Sequence, residues 1–155
     1  MHPNAELIDR FYTAFAAKDA EPMASSYADR ARFSDPVFPD LDAAEARAMW
    51  RMLTRRAQDF SLTFSGVSAD DTRGRAHWEA TYLFSATGRR VHNVIDAEFE
   101  FEAGKIVRHV DRFDFWRWSR MALGPTGVLL GWTPMLQKKV QATARKGLDR
   151  FLADH

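Results

Sequence analysis

The sequence contains no cysteine, and this absence excludes a group of structures and mechanisms. A chain without thiols has no disulfides, no thiolate nucleophile and no zinc site with sulfur ligands. The absence is typical of a protein in a reducing compartment. Met1–Tyr12 also lack an apolar stretch long enough for a signal peptide. We therefore expect a cytoplasmic protein.

A surplus of either charge is also missing. Lysine and arginine number 22 against 21 acidic residues, which leaves a net charge of +1. Such a balance argues against nucleic acid as a partner, because binding to a phosphate backbone requires an excess of positive charge. No window approaches the roughly 20 apolar residues that cross a bilayer, so we expect no stable membrane insertion.

Motifs for metals and cofactors are scarce too. The chain has five histidines, and only His109 has an acidic residue at a suggestive spacing, in His109-Val110-Asp111. Alternate residues of a strand share a face at a separation poorly suited to chelation, so no metal is expected. Flavin and nicotinamide motifs are absent, and we expect no cofactor.

The residues that are present indicate one domain of the α+β class. A chain of 155 residues with 46% hydrophobic residues is sufficient for one buried core. Helical spacing of apolar residues predicts three helices before about residue 58, the third beginning at a capping box of Asp42 and Glu45, and alternation then predicts an antiparallel meander. The predicted strands are 61–67, 75–84, 90–101 and 105–116. We expect a curved antiparallel sheet with the three helices packed on one side.

A C-terminal extension follows this predicted domain. We place the domain at residues 1–117 and the extension at residues 118–155, within the same compact unit. Its helix has apolar residues at intervals of three or four and a basic opposite face. Such a helix can lie on an anionic membrane, but packing on the domain or on a second subunit is commoner. We expect a lid or a homodimer interface.

Strand parity predicts which polar side chains face inwards. On the last strand, His109, Asp111 and Phe113 share a face with apolar residues, and Asn93 is the polar residue on the apolar face of the preceding strand. If the turn centres near Ala103, Asp111 lies opposite Ile95 and Asn93 opposite Phe113. Asn93 and Asp111 are then diagonal neighbours.

A further acid, Asp35, ends an apolar strand in Ser34-Asp35-Pro36. With Asn93, His109 and Asp111 it forms the set of candidate catalytic residues, because ionisable groups on an apolar face cost free energy unless they are used or paired. Structural alternatives remain open for each. Asp35 can simply start an Asp-Pro turn, His109 can be a satisfied core residue, Asn93 can bond Asp111, and Asp111 can be a structural partner of Arg112.

At this point the chain resembles the nuclear transport factor 2-like superfamily, which includes ketosteroid isomerases, SnoaL-like polyketide cyclases and limonene epoxide hydrolases. The likeness covers about residues 4 to 117 and implies a cone-shaped, cystatin-like α+β fold. The ending Tyr27-Ala28-Asp29 to Asp35-Pro36 is similar to that of the isomerases and implies that Asp35 is their proton-shuttling aspartate. Their oxyanion-hole tyrosine falls on Phe11, and Tyr12 points about 100° around the helix.

Two further acids are implied by this resemblance. The isomerases' second oxyanion acid falls on Asp96, although parity turns Asp96 outwards. The segment from Gly104 to Asp111 is similar to the GKIxEHWD pattern of the cyclases and implies that Asp111 is their catalytic acid/base. The cyclases' partner histidine falls on Ala97. The resemblance thus implies some residues of the isomerase site and some residues of the cyclase site.

Two functions compete at this stage. The first is a cofactor-independent enzyme on a small apolar carbonyl or polycyclic substrate, of isomerase, cyclase or epoxide hydrolase type, with Asp35 or Asp111 as general base and Asn93 or His109 supporting the oxyanion. The second is a non-catalytic binding protein for an apolar small molecule. In both, the expected pocket is lined by Phe11, Tyr12, Phe15, Trp50, Trp78, Tyr82, Asp96 and Phe113.

Overall fold

Three helices precede the main sheet in the computed structural model, which describes residues 1–154. They are α1 (Pro3–Ala16), α2 (Ala20–Ser25) and α3 (Ala43–Arg56). The predicted capping box of α3 is confirmed: the Glu45 backbone N–H donates to Asp42 Oδ1 at 2.8 Å, and the Asp42 N–H donates to Glu45 Oε1 at 2.9 Å.

The strands within residues 1–154 form one curved, unclosed sheet of six strands, and the α+β prediction is confirmed. They are β1 (Tyr27–Ser34), β2 (Leu41–Asp42), β3 (Ser61–Ala69), β4 (Arg73–Phe84), β5 (Arg89–Glu102) and β6 (Lys105–Arg112). The order across the sheet is β2-β1-β6-β5-β4-β3. All neighbours are antiparallel except β1 and β6, which are parallel.

The last strand is shorter than the alternation of residues 105–116 predicts. β6 ends at Arg112, and α4 (Phe115–Leu123) begins where the strand was expected to continue. The Asp114 side chain accepts a hydrogen bond from the Arg117 backbone N–H at 3.1 Å and caps this helix. The buried residues Phe115, Trp118 and Ala122 follow a helical period instead.

The β5–β6 hairpin also differs from the predicted register. Ala103 and Gly104 both have positive φ, which makes a two-residue turn, and the register shifts again between Glu100 and Phe101. Asp111 therefore lies opposite Ala97 and not opposite Ile95. The predicted diagonal contact between Asn93 and Asp111 is wrong, because the turn and the bulge together move one strand by two residues.

Two more helices complete the chain, α5 (Pro125–Leu130) and α6 (Pro134–Asp154). The main core lies between the sheet and α1 and α3, and Leu148 and Phe151 of α6 belong to it. In a smaller cluster, Phe115, Trp118 and Ala122 of α4 pack with Val91 of β5. Among the described residues, no helix is both long enough and apolar enough to cross a membrane.

Candidate active site

The inward orientation of the predicted polar residues of β5 and β6 is confirmed. His109 is fully buried, Asp111 is 3% exposed and Asn93 is 7% exposed. All three share the inner face of the sheet with the rings of the main core, as parity requires. Their chemical roles stay predictions.

A hydrogen-bonded chain connects the buried dyad His109–Asp111 to three aromatic residues, Tyr27, Trp50 and Trp78. His109 Nε2 lies 2.9 Å from Asp111 Oδ1, and His109 Nδ1 lies 2.7 Å from the Tyr27 hydroxyl. The Trp50 indole N–H donates to the Tyr27 oxygen at 2.8 Å, and the Trp78 N–H donates to Asp111 Oδ1 at 3.4 Å. Because a carboxylate only accepts, Nε2–H donates to Asp111, and in the tautomer with its hydrogen on Nε2 the Nδ1 atom accepts from the Tyr27 hydroxyl.

Aromatic rings enclose the histidine of this dyad. The His109 ring centroid is 4.3 Å from that of Phe99, 4.9 Å from that of Phe33 and 5.7 Å from that of Phe11. A buried polar chain in such surroundings is favourable only when each member is bonded, as here. The dyad therefore supports its neighbours and does not face solvent.

The rings predicted to line a pocket lie in the core. Phe15 is 5.1 Å from Trp50 and 5.3 Å from Trp78, measured between ring centroids. Phe11, Phe15, Trp50 and Trp78 are all buried. Two clefts of about 610 and 570 Å³ lie elsewhere, one among arginines of β5 and α4 and the other on strands β3 to β6. The ligand pocket stays a prediction.

Asp35 occupies the turn that follows β1. Its Oδ1 accepts hydrogen bonds from the backbone N–H groups of Val37 at 2.7 Å and Phe38 at 2.6 Å, so the structural role in an Asp-Pro turn is real. The side chain is half-buried, and within residues 1–154 its Oδ2 has no hydrogen-bond partner. One oxygen holds the turn while the other remains available.

The protonation of Asp35 is poised near neutrality. Burial raises the pKa of Asp35 to about 7, and the negative charge of Asp111 adds to this effect, whereas the two backbone N–H donors oppose it. The two acids therefore interact electrostatically although they are far apart in the sequence. A carboxyl group with this pKa exchanges protons readily at physiological pH.

Tyr82 on β4 and Asn93 on β5 are two further predicted residues with polar side chains. Burial and the charge of Asp35 raise the pKa of Tyr82 to about 12, and the Trp118 indole donates to its hydroxyl at 3.0 Å. Asn93 lies opposite Ala80, between the positions of Trp78 and Tyr82 on that face. Among the described residues, the Asn93 amide forms no side-chain hydrogen bond, so its donors are free for a ligand.

Tyr12 contains a buried hydroxyl group without a partner in the part of the chain that the structure describes. Its ring packs against Phe64 and Trp78, and burial together with the charge of Asp111 raises its pKa well above the usual value. Phe11, which takes the place of the isomerases' tyrosine, packs on His109 instead. An unsatisfied buried donor beside an acid is unusual and is typical of functional sites.

Two other residues predicted to line the pocket, Asp96 and Phe113, are less buried than the rings of the core. Asp96 is exposed on the outer face, where its Oδ1 bonds His77 Nδ1 at 2.9 Å. Its predicted place in the pocket is wrong, and the outward orientation from parity is confirmed. Phe113 is half-buried and packs between the two hydrophobic clusters.

Tyr27 and Trp118 were not among the site residues predicted from the sequence. Tyr27 begins β1, and the alternation of Tyr27, Ala31 and Phe33 as buried residues is the signal that identifies it. Trp118 belongs to the helix that the chain forms in place of the end of the predicted strand. Only the correct element assignment places its indole beside Tyr82.

The Asp35→Asn substitution is expected to change how stability depends on pH. A raised folded-state pKa stabilises the wild type below the unfolded pKa of about 4, and this contribution is lost as the pH rises through about 7. Asparagine keeps the Oδ1 acceptor but does not ionise. Between pH 5 and pH 8 the free energy of unfolding of the variant should rise by about 2 kcal/mol relative to that of wild type. This value allows for the partial exposure of the Asp35 side chain, which weakens the effect.

Urea unfolding at several pH values measures this difference. Asp154→Asn, at an exposed position near the end of α6, is the matched control and should show a difference from wild type that does not vary with pH. A constant difference for Asp35→Asn as well would contradict the raised pKa.

Comparison with known proteins agrees with this architecture. The family model of the SnoaL-like domain matches residues 8–109. No curated protein is significantly similar to the chain in sequence.

Solved structures share the fold at low sequence identity. An NTF2-like protein of unknown function from Burkholderia pseudomallei has a TM-score of 0.68 at 19% identity, covering 78% of this chain and 98% of that protein. An LEH-like epoxide hydrolase from M. tuberculosis has a TM-score of 0.65 at 16% identity over 83% and 96% of the two chains. A proposed polyketide cyclase from Streptomyces antibioticus has a TM-score of 0.63 at 18% identity over 78% and 98%.

Proposed function

The chain belongs to the SnoaL-like domain family of the NTF2-like superfamily, and from this premise we propose that it is a cofactor-independent acid/base enzyme acting on a small apolar carbonyl or polycyclic substrate. The observation that carries the proposal is Asp35, a half-buried acid with a pKa of about 7 and one unbonded carboxyl oxygen. We assign it the role of general base.

The proposed reaction is proton abstraction next to a carbonyl group. Asp35 Oδ2 removes the proton from the α-carbon, and the C–H electrons form an enolate whose charge rests on the carbonyl oxygen. We assign the stabilisation of this oxygen to the Asn93 amide and the Tyr82 hydroxyl. Asp35 then returns the proton at another carbon in an isomerisation. In a cyclisation the enolate carbon attacks a second carbonyl carbon, and the resulting alkoxide takes the proton back from Asp35.

The dyad has a supporting part in this proposal. Asp111 is buried and its Oδ1 already accepts from His109 and Trp78, so we do not assign it the first proton transfer. Its negative charge raises the proton affinity of Asp35. His109 and Tyr27 hold that charge in place in a dry core.

An epoxide hydrolase reaction is a second candidate because the two acids interact. One of them, Asp35, is near half-protonated at neutral pH beside a second carboxyl group. Such a pair suits a mechanism in which one acid activates water and the other protonates the epoxide oxygen. The fold likeness to an LEH-like epoxide hydrolase supports testing epoxides beside ketones.

Hydrogen exchange tests the proposal. Loss of α-hydrogens from cyclic and steroid-like ketones in heavy water, followed by NMR, should occur with wild type and rise as pH passes about 7. Asp35→Asn should reduce the rate at least about 100-fold, the usual contribution of a general base. Asp111→Asn should move the midpoint to lower pH, because the charge that raises the pKa of Asp35 is removed.

The control and the opposing results are specific. Asp96→Asn, on the outer face, should exchange at the wild-type rate. Full exchange by Asp35→Asn would reject Asp35 as the base. A third result would support the alternative function. If no ketone exchanges, no epoxide opens, and ligand-induced line broadening survives both Asp35→Asn and Asp111→Asn, the protein is a non-catalytic binding protein for an apolar small molecule.

A further inference from the structure

The corner between α5 and α6 exposes a concentrated set of large apolar side chains. Trp132 and Met135 are each 71% exposed, Leu129 is 69% exposed and Val128 is 51% exposed. Leu130 and Trp116, the latter on the neighbouring helix α4, are about two-fifths exposed, at 42% and 40%. We call residues 128–135 with Trp116 the apolar corner. Contiguous apolar surface of this kind usually marks an interaction site.

Positive charge lies on both sides of the apolar corner in the sequence. The chain has no acidic residue between Asp114 and Asp149, whereas that segment has six basic residues, Arg117, Arg120, Lys138, Lys139, Arg145 and Lys146. The cleft of about 610 Å³ is lined by Met121 and four arginines, namely Arg89, Arg90, Arg117 and Arg120. Within residues 1–154, Arg90 alone among these four has a carboxylate within 4 Å, that of Asp59 at 3.7 Å.

The arginine cleft and the apolar corner adjoin each other. The Arg120 guanidinium lies 4.3 Å from the centre of the Trp116 ring, and the Trp116 indole N–H donates to the Val128 carbonyl oxygen at 3.3 Å. On the other side, Arg89 Nε donates to the Met121 carbonyl oxygen at 2.8 Å. One surface thus combines protruding apolar side chains with a basic border.

We propose that this surface docks reversibly on an anionic phospholipid bilayer, with the apolar corner in the interface and the arginines on the phosphate groups. The combination of tryptophan, leucine and methionine with basic neighbours is the composition of interfacial membrane sites. Both exposed indoles already donate to backbone carbonyls, Trp132 to Leu129 at 3.0 Å and Trp116 to Val128. Both rings can therefore leave water without leaving an indole N–H group unbonded.

A second copy of the chain fits this surface less well. A contact between two copies of this surface brings no acidic side chain of residues 115–148 to the arginines, so their charge would be removed from water without a counter-charge from that segment. Anionic headgroups neutralise the same arginines. Charge complementarity therefore selects the bilayer.

Docking would also bring the bilayer close to the Asp35 turn. Gln137 and Gln141 of α6 both donate to the Pro36 carbonyl oxygen, at 3.1 and 3.0 Å. An apolar substrate dissolved in the bilayer would then be released next to Asp35. This connection rests on the proposed function, whereas the docking does not.

Co-sedimentation of the full chain with vesicles tests the docking without an activity assay. Binding to phosphatidylcholine vesicles that contain phosphatidylglycerol should be at least about tenfold tighter than to pure phosphatidylcholine and should weaken with salt. The tryptophan emission should shift to the blue on binding, and the conservative variant Trp132→Phe should lose most of that shift. Arg89→Gln/Arg120→Gln should weaken binding at least about tenfold.

Matched controls separate docking from unfolding. Arg73→Gln/Arg75→Gln removes the same charge from the opposite region of the sheet and should bind like wild type, and thermal unfolding should show that all variants are folded. Equal binding to both vesicle types, or binding unchanged in the Arg89/Arg120 variant, would overturn the proposal. Self-association that Trp132→Ser abolishes, without vesicle binding, would overturn it in favour of a second copy.

Discussion

Replacing Asp111 with leucine is expected to lower the free energy of unfolding by about 3–5 kcal/mol. The substitution removes the acceptor of two buried donors, His109 Nε2–H and the Trp78 indole N–H. Neither donor can reach water, because His109 is fully buried and Trp78 is 7% exposed. An unsatisfied donor in a dry core costs the desolvation free energy of that group.

The double variant His109→Phe/Asp111→Leu should recover most of this loss. It removes both partners of the buried pair and leaves apolar side chains among Phe11, Phe33 and Phe99, which already surround the histidine. Replacement of both partners of a buried hydrogen bond by apolar groups of similar shape is often nearly neutral or stabilising, whereas removal of one partner is not. Tyr27 loses its acceptor but still accepts from Trp50.

Guanidinium unfolding of the wild type, both single variants and the double variant gives the coupling free energy of the pair. An Asp111→Leu variant as stable as wild type would show that the dyad is not the closed network described above. The double variant also separates stability from catalysis. If Asp111 acts on Asp35 through its charge, the double variant stays folded but its hydrogen-exchange midpoint moves to lower pH.

Gly127→Ala should be the most damaging conservative change in the C-terminal helices, with a loss of about 3 kcal/mol or more. A Cβ at this position would lie 1.9 Å from the carbonyl oxygen of Ser119 and 2.3 Å from its carbonyl carbon. These are backbone atoms of α4, so no side-chain rotation relieves the clash. Helices α4 and α5 must separate, and the cluster of Trp118 and Ala122 beneath α4 loosens with them.

Gly147→Ala is the matched control for this prediction. Gly147 lies within α6, and a Cβ there would meet no atom within 4 Å. Alanine favours a helix over glycine by about 1 kcal/mol, so this variant should be slightly more stable than wild type. Thermal unfolding and near-ultraviolet circular dichroism measure both variants. Equal effects of the two substitutions would contradict the close approach of α4 and α5.

Local patterns predicted a large part of the fold. Apolar spacing identified α1 and α3, and the pairing of Asp42 with Glu45 identified the start of α3. Alternation placed His109 and Asp111 on the inner face of β6 and Asp96 on the outer face of β5. These features depend on neighbours a few residues apart, which is the range over which a sequence pattern constrains the backbone.

Features that depend on contacts between distant segments were not predictable in the same way. Alternation continued past Arg112, but the Asp114 cap and the apolar face of α4 ended the strand there. The register of β5 and β6 depended on a turn and a bulge whose backbone angles no pattern specified. Period-two alternation is insensitive to a shift of two residues, so parity stayed correct while the neighbours of Asp111 changed.

The sequence by itself determined the fold class, the family likeness and the inward orientation of Asn93, His109 and Asp111. The tertiary structure alone decided that Tyr27 and Trp50 extend the hydrogen-bonded chain of the dyad, that the Tyr12 hydroxyl has no partner within residues 1–154, and that Asp35 has a pKa of about 7. The physical reason is the distance along the chain over which each kind of interaction acts. Residue order governs hydrogen bonding along a helix or strand, whereas burial and electrostatic potential sum over atoms brought together from the whole chain.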